Sequence, residues 1–126
     1  MSESNKAIAR AVFEVWGTGD LDRLDDLVAA DVVHHDPYDP HGDEGLAGMK
    51  ATIAANRERF SELRLEVQDQ IAERDRVATR WICTMAQADT GKRATIAGIT
   101  IDRFEDGKIV EAWRSMDALG LASQLA

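Results

Sequence analysis

The residues best suited to acid–base chemistry lie near the C-terminus, in the stretch GITIDRFEDGKIVEAWRSMDALGLASQ, residues 98–124. Asp117 stands where a strand with alternating apolar residues gives way to a helical pattern. A carboxylate in an apolar pocket has a raised pKa, which brings it towards general-base strength near neutral pH. We therefore single out Asp117 as a candidate acid/base that could remove a proton next to a carbonyl group.

The turn at Asp106-Gly107 decides which side chains share a face with that carboxylate. A two-residue loop pairs Glu105 with Lys108, whereas a three-residue loop pairs Phe104 with Lys108. The two registers differ by one residue, which turns every side chain of the strand to the opposite face. We predict the three-residue loop, with its glycine in the left-handed conformation, because this hairpin connection is common.

The three-residue loop places a strongly apolar face beside Asp117 and Arg103. Its apolar members on the last two strands are Ile99, Ile101, Ile109 and Trp113. The same logic at the preceding hairpin adds Val77, Thr79, Trp81 and Cys83. The two-residue alternative would instead place Thr100, Asp102 and Phe104 on the face of Asp117. We expect a cavity along the apolar face, and its predicted substrate-binding residues are Trp16, Tyr38, Trp81, Ile99, Ile101 and Trp113.

Negative charge that develops on a carbonyl oxygen needs a hydrogen-bond donor. Arg103, His35 and Tyr38 are the candidates for this role. Each catalytic interpretation has a structural alternative. Arg103 could pair with Glu111 across the strands, His35 could be a polar core residue, and Asp117 could simply cap the last helix.

The segment HHDPYDPHGDEG, residues 34–45, reads as a loop from its Pro, Gly and Asp content. Its histidines and acids invite a metal-binding interpretation, but no helix or hairpin fixes a ligand spacing, so we predict no metal site. His35 lies near the end of the preceding strand, where it could point into a pocket. His34, its neighbour, would then point the other way.

The composition indicates one globular domain over residues 1–126, because 126 residues with 44% apolar content can bury a single core. A net charge of −8 argues against nucleic acid and anionic membranes as partners. No apolar run approaches the roughly 20 residues of a membrane helix, and the N-terminus shows no signal-peptide pattern. With the single Cys83, this predicts a cytoplasmic protein.

Apolar periodicity predicts helices first and a run of strands afterwards. The predicted helices are 4–17, a short one after Asp20, 45–62 and 117–125, and the predicted strands are 32–36, 63–73, 76–88, 93–104 and 108–117. This order is typical of an α+β fold. We expect a curved, mainly antiparallel sheet that wraps around the N-terminal helices, with a cavity between them.

Five sequence pieces occur together in an order typical of one family. They are Gly19-Asp20-Leu21-Asp22, VVHHDP, GDEGLAGMKATI, RDRVATRW and, most strongly, ITIDRFEDGKIVEAWRSMDALGLASQLA. With these, nearly the whole chain resembles the SnoaL-like polyketide cyclases, within the nuclear transport factor 2-like superfamily of cone-shaped folds.

The resemblance implies catalysis without cofactor or metal, including intramolecular aldol ring closure, with the family's acid/base aspartate matching Asp117. Three departures bear on the chemistry. The long hairpin of the family is cut short at CTMAQADTGK. Ile101 and Arg103 stand where ring-closing members carry polar residues, including a histidine. Ala112 replaces a residue that is often histidine.

We therefore predict a cofactor-independent enzyme acting on a small hydrophobic carbonyl compound, as a cyclase or isomerase. Two alternatives stay open. Related cone folds hydrolyse epoxides with an Asp-Arg-Asp arrangement, which Arg103 and Asp117 resemble in part. The chain could also be a non-catalytic binding or assembly module. Because cone folds often pair through the outer sheet face, we expect a homodimer, through Phe104, Val110, Ala112 and Met116.

Overall fold

The computed structural model describes residues 2–126 as one curved five-stranded sheet with helices packed against its concave face. The helices are α1 (Ser2–Thr18), a short 3₁₀-helix (Leu21–Asp26), α2 (Gly45–Arg59) and α3 (Ala118–Leu125). The strands are β1 (Val28–His35), β2 (Phe60–Glu73), β3 (Arg76–Gln87), β4 (Arg93–Glu105) and β5 (Lys108–Met116). The predicted α+β fold is confirmed.

The strand order is β1-β5-β4-β3-β2, in which β1 runs parallel to β5 and every other neighbouring pair is antiparallel. Two boundaries differ from the prediction by three residues or more. Strand β1 begins at Val28, which pairs with Ile109, rather than at residue 32. Helix α2 ends at Arg59, so β2 begins at Phe60 rather than at residue 63.

The core lies between α1 and the concave face of the sheet. Phe13 of α1 contacts Trp81 of β3, with 6.3 Å between ring centroids. The indole of Trp81 donates a hydrogen bond of 3.0 Å to the Thr100 hydroxyl and lies over Gly98, where any Cβ would collide with the ring. A glycine at this position therefore lets the tryptophan lie flat against β4.

The predicted three-residue turn is wrong. Glu105 pairs with Lys108, and both loop residues have positive φ, 51° at Asp106 and 78° at Gly107. This is the two-residue hairpin loop, whose twist matches that of the strands. A β-bulge follows at once, since Phe104 pairs with Ile109 whereas Arg103 pairs with Glu111.

The bulge leaves one extra residue on β5 and changes which side chains share a face. Beyond it, Ile101 lies opposite Trp113 and Ile99 opposite Ser115. These apolar residues do share a face, but Ile109 points to the other one and is buried. The predicted grouping of Ile109 with them is therefore wrong.

The same apolar face was also predicted to include residues of β3, and this is wrong as well. Trp81 pairs with Gly98, and Thr79 pairs with Thr100. The buried residues of β3 therefore share the concave face with the even-numbered residues of β4. Ile99 and Ile101 lie on the convex face, where they are 49% and 37% exposed.

Candidate functional site

An apolar cavity of about 160 Å³ lies between the concave face of the sheet and the helices. Its walls come from all three α-helices and from β2 to β5. Apolar lining side chains include Trp16, Leu65, Trp81, Met85 and Met116. The cavity can therefore hold a small, mostly hydrophobic molecule.

A buried ion pair forms the polar end of this cavity. Arg114 donates from Nε to Asp36 Oδ2 over 2.7 Å, and its Nη2 lies 2.6 Å from the same oxygen. The Asp36 side chain is 2% exposed and that of Arg114 is 13% exposed. The other carboxylate oxygen of Asp36 accepts the backbone N–H of Tyr38 at 2.9 Å. Both charges are therefore held in fixed positions out of bulk water.

Parallel pairing of β1 with β5 brings these two residues together. His35, the last residue of β1, pairs with Trp113, so the residues that follow them, Asp36 and Arg114, lie at the same height. The Arg114 guanidinium also lies 5.4 Å above the ring of Trp16. Helix α1 and the sheet together therefore fix the arginine.

A second, smaller void of about 20 Å³ lies behind the ion pair, with room for about one water molecule. It is lined by Arg114 together with His34, Thr100 and Asp102. Asp102 is 5% exposed, and burial raises its pKa to about 7. A carboxyl group with this pKa exchanges a proton readily near neutral pH.

His34 also faces the interior, and its buried Nδ1 has no hydrogen-bond partner among residues 2–126. Burial and the Arg114 charge lower the pKa of His34. Its imidazole is therefore neutral at neutral pH. The sequence analysis assigned His34 to the outside and His35 to a pocket, and the structure reverses both placements.

His35 belongs to an ionic cluster on the convex face. Its Nε2 lies 2.7 Å from Glu111 Oε2, and its ring stacks on Trp113 at 5.2 Å. Arg103 donates from Nε to the other Glu111 oxygen at 3.1 Å, which is the cross-strand pair considered above as its structural alternative. Hydrogen bonds from His35 and then Arg103 lower the pKa of Glu111.

The predicted site residues therefore divide between the two faces. Trp16, Trp81 and Tyr38 line the cavity. Ile99, Ile101, Trp113, His35 and Arg103 lie on the convex face. The four residues of β4 and β5 do share a face, but the prediction took this face for the buried one.

Asp117 lies outside the cavity, so its predicted position in an apolar pocket is wrong. It is exposed, and its Oδ1 accepts the backbone N–H of Gly120 at 2.8 Å. This is the N-cap geometry of α3, the structural alternative considered above. The sequence analysis did not single out Asp36, Arg114 or Asp102 as a site, although all three belong to the concave side.

Among residues 2–126, no three His, Cys, Asp or Glu side chains gather at a point where they could hold a metal ion. In the loop after β1, His41 Nδ1 instead pairs with Glu44 at 2.7 Å. None of the helices formed by these residues is both long and apolar enough to cross a membrane.

A family model for SnoaL-like polyketide cyclases matches residues 6–125. The chain belongs to the SnoaL-like polyketide cyclase family. The resemblance seen in the sequence is confirmed, and membership supports a cyclase- or isomerase-type function. No curated protein sequence matches the chain.

Solved structures agree with this assignment. TsrD from Streptomyces laurentii shares 26% identity and superposes with a TM-score of 0.90 over 100% of this chain and 97% of TsrD. IdmH from Streptomyces antibioticus, a proposed polyketide cyclase, shares 26% identity with a TM-score of 0.86, over 96% of this chain and 97% of IdmH. A proposed polyketide cyclase from Acidithiobacillus ferrooxidans shares 29% identity with a TM-score of 0.86, over 99% and 96% of the two chains.

Proposed function

We propose that this protein is a cofactor-independent acid/base enzyme that acts on a small hydrophobic carbonyl compound, as a cyclase or isomerase. The Asp36–Arg114 pair at the end of the apolar cavity carries this proposal. A buried ion pair seldom stabilises a fold more than apolar residues of the same volume would. Chemistry in the cavity is therefore the better reason for its presence.

In this proposal Asp36 is the general base and Arg114 stabilises the oxyanion. Asp36 removes a proton from the carbon next to the carbonyl group, and the electron pair moves onto the carbonyl oxygen. A guanidinium has five N–H donors, and two nitrogens of Arg114 already hold Asp36. Its other N–H groups can donate to the oxygen as negative charge develops there.

The product depends on where the enolate reacts. In a cyclase, its carbon attacks a second carbonyl of the same molecule, a C–C bond forms, and the new alkoxide takes the proton back from Asp36. In an isomerase, Asp36 returns the proton to a different carbon. Both outcomes need only one carboxyl group that first accepts and then donates a proton.

Isotope exchange tests the proposal without knowledge of the natural substrate. Phenylacetone in D₂O with EDTA would be followed by proton NMR for loss of the signals next to the carbonyl. We expect the wild-type protein to accelerate exchange and Asp36→Asn to slow it about 100-fold or more, because general-base catalysis is of that size. Asp117→Asn is the matched control, with a wild-type rate expected.

Two results would overturn this assignment. If the wild type exchanges no faster than buffer, the protein lacks the proposed carbon-acid chemistry and the non-catalytic alternative is favoured. If Asp117→Asn abolishes exchange while Asp36→Asn retains it, the acid/base is Asp117 and the cavity assignment fails.

Epoxide hydrolysis is a second candidate, favoured by the position of Arg114. Arg114 pairs with Asp36 and lines the same small void as Asp102, which gives a carboxyl–guanidinium–carboxyl set on the concave face. One carboxylate could activate water, and the protonated Asp102 could give its proton to the opening epoxide oxygen. Formation of phenylethanediol from styrene oxide, without exchange in phenylacetone, would select this function.

We also propose a homodimer that uses the convex face, with different residues from those predicted. Phe104 and Ala112 are buried on the concave side, and Met116 lines the cavity. The convex face instead exposes the neighbouring apolar side chains of Ile99 and Ile101, and exposed apolar surface of this kind can mark a protein–protein contact. Light scattering after gel filtration should give twice the monomer mass for the wild type and the monomer mass for Ile99→Lys.

A further inference from the structure

The charges that line the main cavity do not cancel. Of the described residues, 2–126, three with charged side chains line it, namely Asp36, Arg114 and Arg59. The first two neutralise each other, and Arg59 forms no ion pair with any other residue in the range 2–126. The cavity therefore carries one uncompensated positive charge, although the chain as a whole has a net charge of −8.

Arg59 lines the cavity and reaches solvent, so it lies at the cavity mouth. It is exposed, and its guanidinium lies 4.9 Å above the ring of Phe60, a buried wall residue. The flat guanidinium can stay on this ring and still present its N–H groups to a ligand. Exposed Tyr38 and half-buried Asn56 also line the cavity.

Arg57, two residues before Arg59 on α2, already satisfies the backbone at the end of the neighbouring helix α1, so Arg59 is not needed for this purpose. Arg57 donates to the carbonyl oxygens of Trp16 and Gly17 at 2.9 and 2.8 Å, at the end of α1. Its role is therefore structural. Arg59 donates no such hydrogen bond to any residue in the part of the chain that the structure describes, so its donors remain available at the cavity mouth.

The size of the cavity limits the apolar part of a ligand. A volume of about 160 Å³ is close to that of an engineered protein cavity of about 150 Å³ that binds benzene. It is well below the range of roughly 300–1,000 Å³ that is usual for larger ligands. One aromatic ring, or a branched chain of similar bulk, fills the apolar part.

From these observations we infer that the substrate is a small oxo acid, with an apolar body of about one ring and a carboxylate that Arg59 binds at the mouth. This inference rests on the proposed function for the carbonyl group near Arg114, and it adds the anionic group and the size limit. Arg59 is then a specificity-determining residue, since planar guanidinium groups match carboxylates in geometry.

The binding of an acid and of its neutral ester tests whether the site recognises a carboxylate. Benzoylformate carries a ring, a carbonyl and a carboxylate, and its methyl ester is the neutral equivalent. Titration calorimetry would be combined with the fluorescence of Trp16 and Trp81, which line the cavity. We expect the acid to bind the wild type about tenfold more tightly than the ester, with an advantage that shrinks as salt is added.

Two variants that each lose one arginine charge distinguish binding at the cavity from a general effect of surface charge. Arg59→Met should weaken benzoylformate binding about five- to tenfold and leave the ester unaffected. Arg64→Met removes an exposed arginine from β2 that does not line the cavity, and it should leave both probes unaffected. A third probe, 2-naphthylglyoxylate, tests the size limit and should bind at least about tenfold more weakly than benzoylformate, because it exceeds one ring.

Each contrary result has a defined meaning. Equal affinity of acid and ester in the wild type, or equal losses in the two variants, would overturn the assignment of a carboxylate to Arg59. Naphthylglyoxylate binding as tightly as benzoylformate would overturn the size limit. Both outcomes leave the isotope-exchange test of the proposed function standing. If neither benzoylformate nor its ester binds, the cavity is not the ligand site, and the inference fails together with the cavity assignment.

Discussion

The buried Asp36–Arg114 pair and the exposed His35–Glu111 pair both join the end of β1 to β5, yet they lie on opposite faces of the sheet. On the concave side Asp36 and Arg114 are nearly excluded from water. On the convex side His35 and Glu111 form a pair of similar length that is 45% and 25% exposed. The sequence neighbours 35 and 36 thus place their side chains in very different surroundings.

This difference shows that burial, rather than residue type, separates a candidate site from a surface cluster. Exposed ion pairs are screened by water and add little stability. A buried pair is costly to form, and loss of one member leaves an uncompensated charge. The variants below exploit this contrast, from the largest expected effect to the smallest.

Removing the buried carboxylate should have the largest effect. Asp36→Ala leaves Arg114 charged and without its partner, and we expect a loss of about 3–5 kcal/mol in the free energy of unfolding. Urea denaturation would measure it. Glu111→Ala on the convex face is the matched control, with a far smaller loss expected.

A second substitution keeps this prediction testable even if Asp36→Ala fails to fold. Asp36→Ala combined with Arg114→Met removes both charges, so part of the lost stability should return. A double variant that is less stable than the single one would show that the unpaired charge is not the cause.

Replacing Asp102 should give the next largest effect, and one that depends on pH. Burial raises its pKa from 3.8 to about 7, so the folded state retains a proton that the unfolded state loses. Stability contributed by this group is therefore complete below about pH 4 and falls as the pH rises through 7. The difference between the two pKa values corresponds to a loss of up to about 4 kcal/mol in the free energy of unfolding when the pH is raised from below 4 to 9.

Asp102→Asn stays neutral and should escape this loss. We expect the variant to be more stable than the wild type at pH 9 and similar to it at pH 4, as measured by urea denaturation across that range. Besides mainly apolar side chains, the residues that line the void with Asp102 include His34, Thr100 and Arg114. If the free energy of unfolding changes equally with pH in the wild type and in Asp102→Asn, Asp102 does not hold a proton in the folded state. A difference in stability that is the same at every pH would mean that the substitution acts through packing.

The register of β4 shows why the sequence could predict the fold but not the site. Period-2 alternation assumes that the apolar side of a strand is the buried one. In β4 the exposed face carries Ile99 and Ile101, whereas the buried face carries Thr100 and Asp102. The rule therefore selected the wrong face at the place where polar groups are buried.

The helices and long strands were predictable because their patterns are long and local. The contact between Asp36 and Arg114 is neither, since the two residues are 78 positions apart and meet only through the parallel pairing of β1 with β5. The sequence pattern likewise does not indicate the bulge between Arg103 and Phe104. Each of these features depends on contacts between residues that are far apart in the chain, and the local pattern of apolar residues does not reveal such contacts.

Asp117 should show a moderate effect on stability and none on catalysis. Asp117→Ala removes the side-chain cap of α3, and loss of such a cap costs about 1 kcal/mol. Thermal denaturation would measure this cost, with Asp117→Asn as the control that retains a capping group. Phenylacetone exchange at the wild-type rate is expected in both variants. A lost exchange activity with an unchanged stability would return Asp117 to the role of acid/base.

The smallest effect is expected on the convex face, at Glu111. Hydrogen bonds from His35 and Arg103 lower its pKa, so its contribution to stability exists above the pKa of the unfolded carboxyl and is lost as the pH falls. The stability contributed by Glu111 therefore rises with pH, whereas that contributed by Asp102 falls. Glu111→Gln should therefore be slightly less stable than the wild type at pH 7 and equal to it near pH 3, by urea denaturation.

Isotope exchange in the same Glu111→Gln protein completes the comparison of the two faces. The rate with phenylacetone should match the wild type, because the cluster around Glu111 lies on the side of the sheet away from the cavity. A large fall in exchange without a fall in stability would mean that the convex cluster takes part in the chemistry. In that case the residues first selected from the sequence, His35 and Arg103, would again be the candidate catalytic residues.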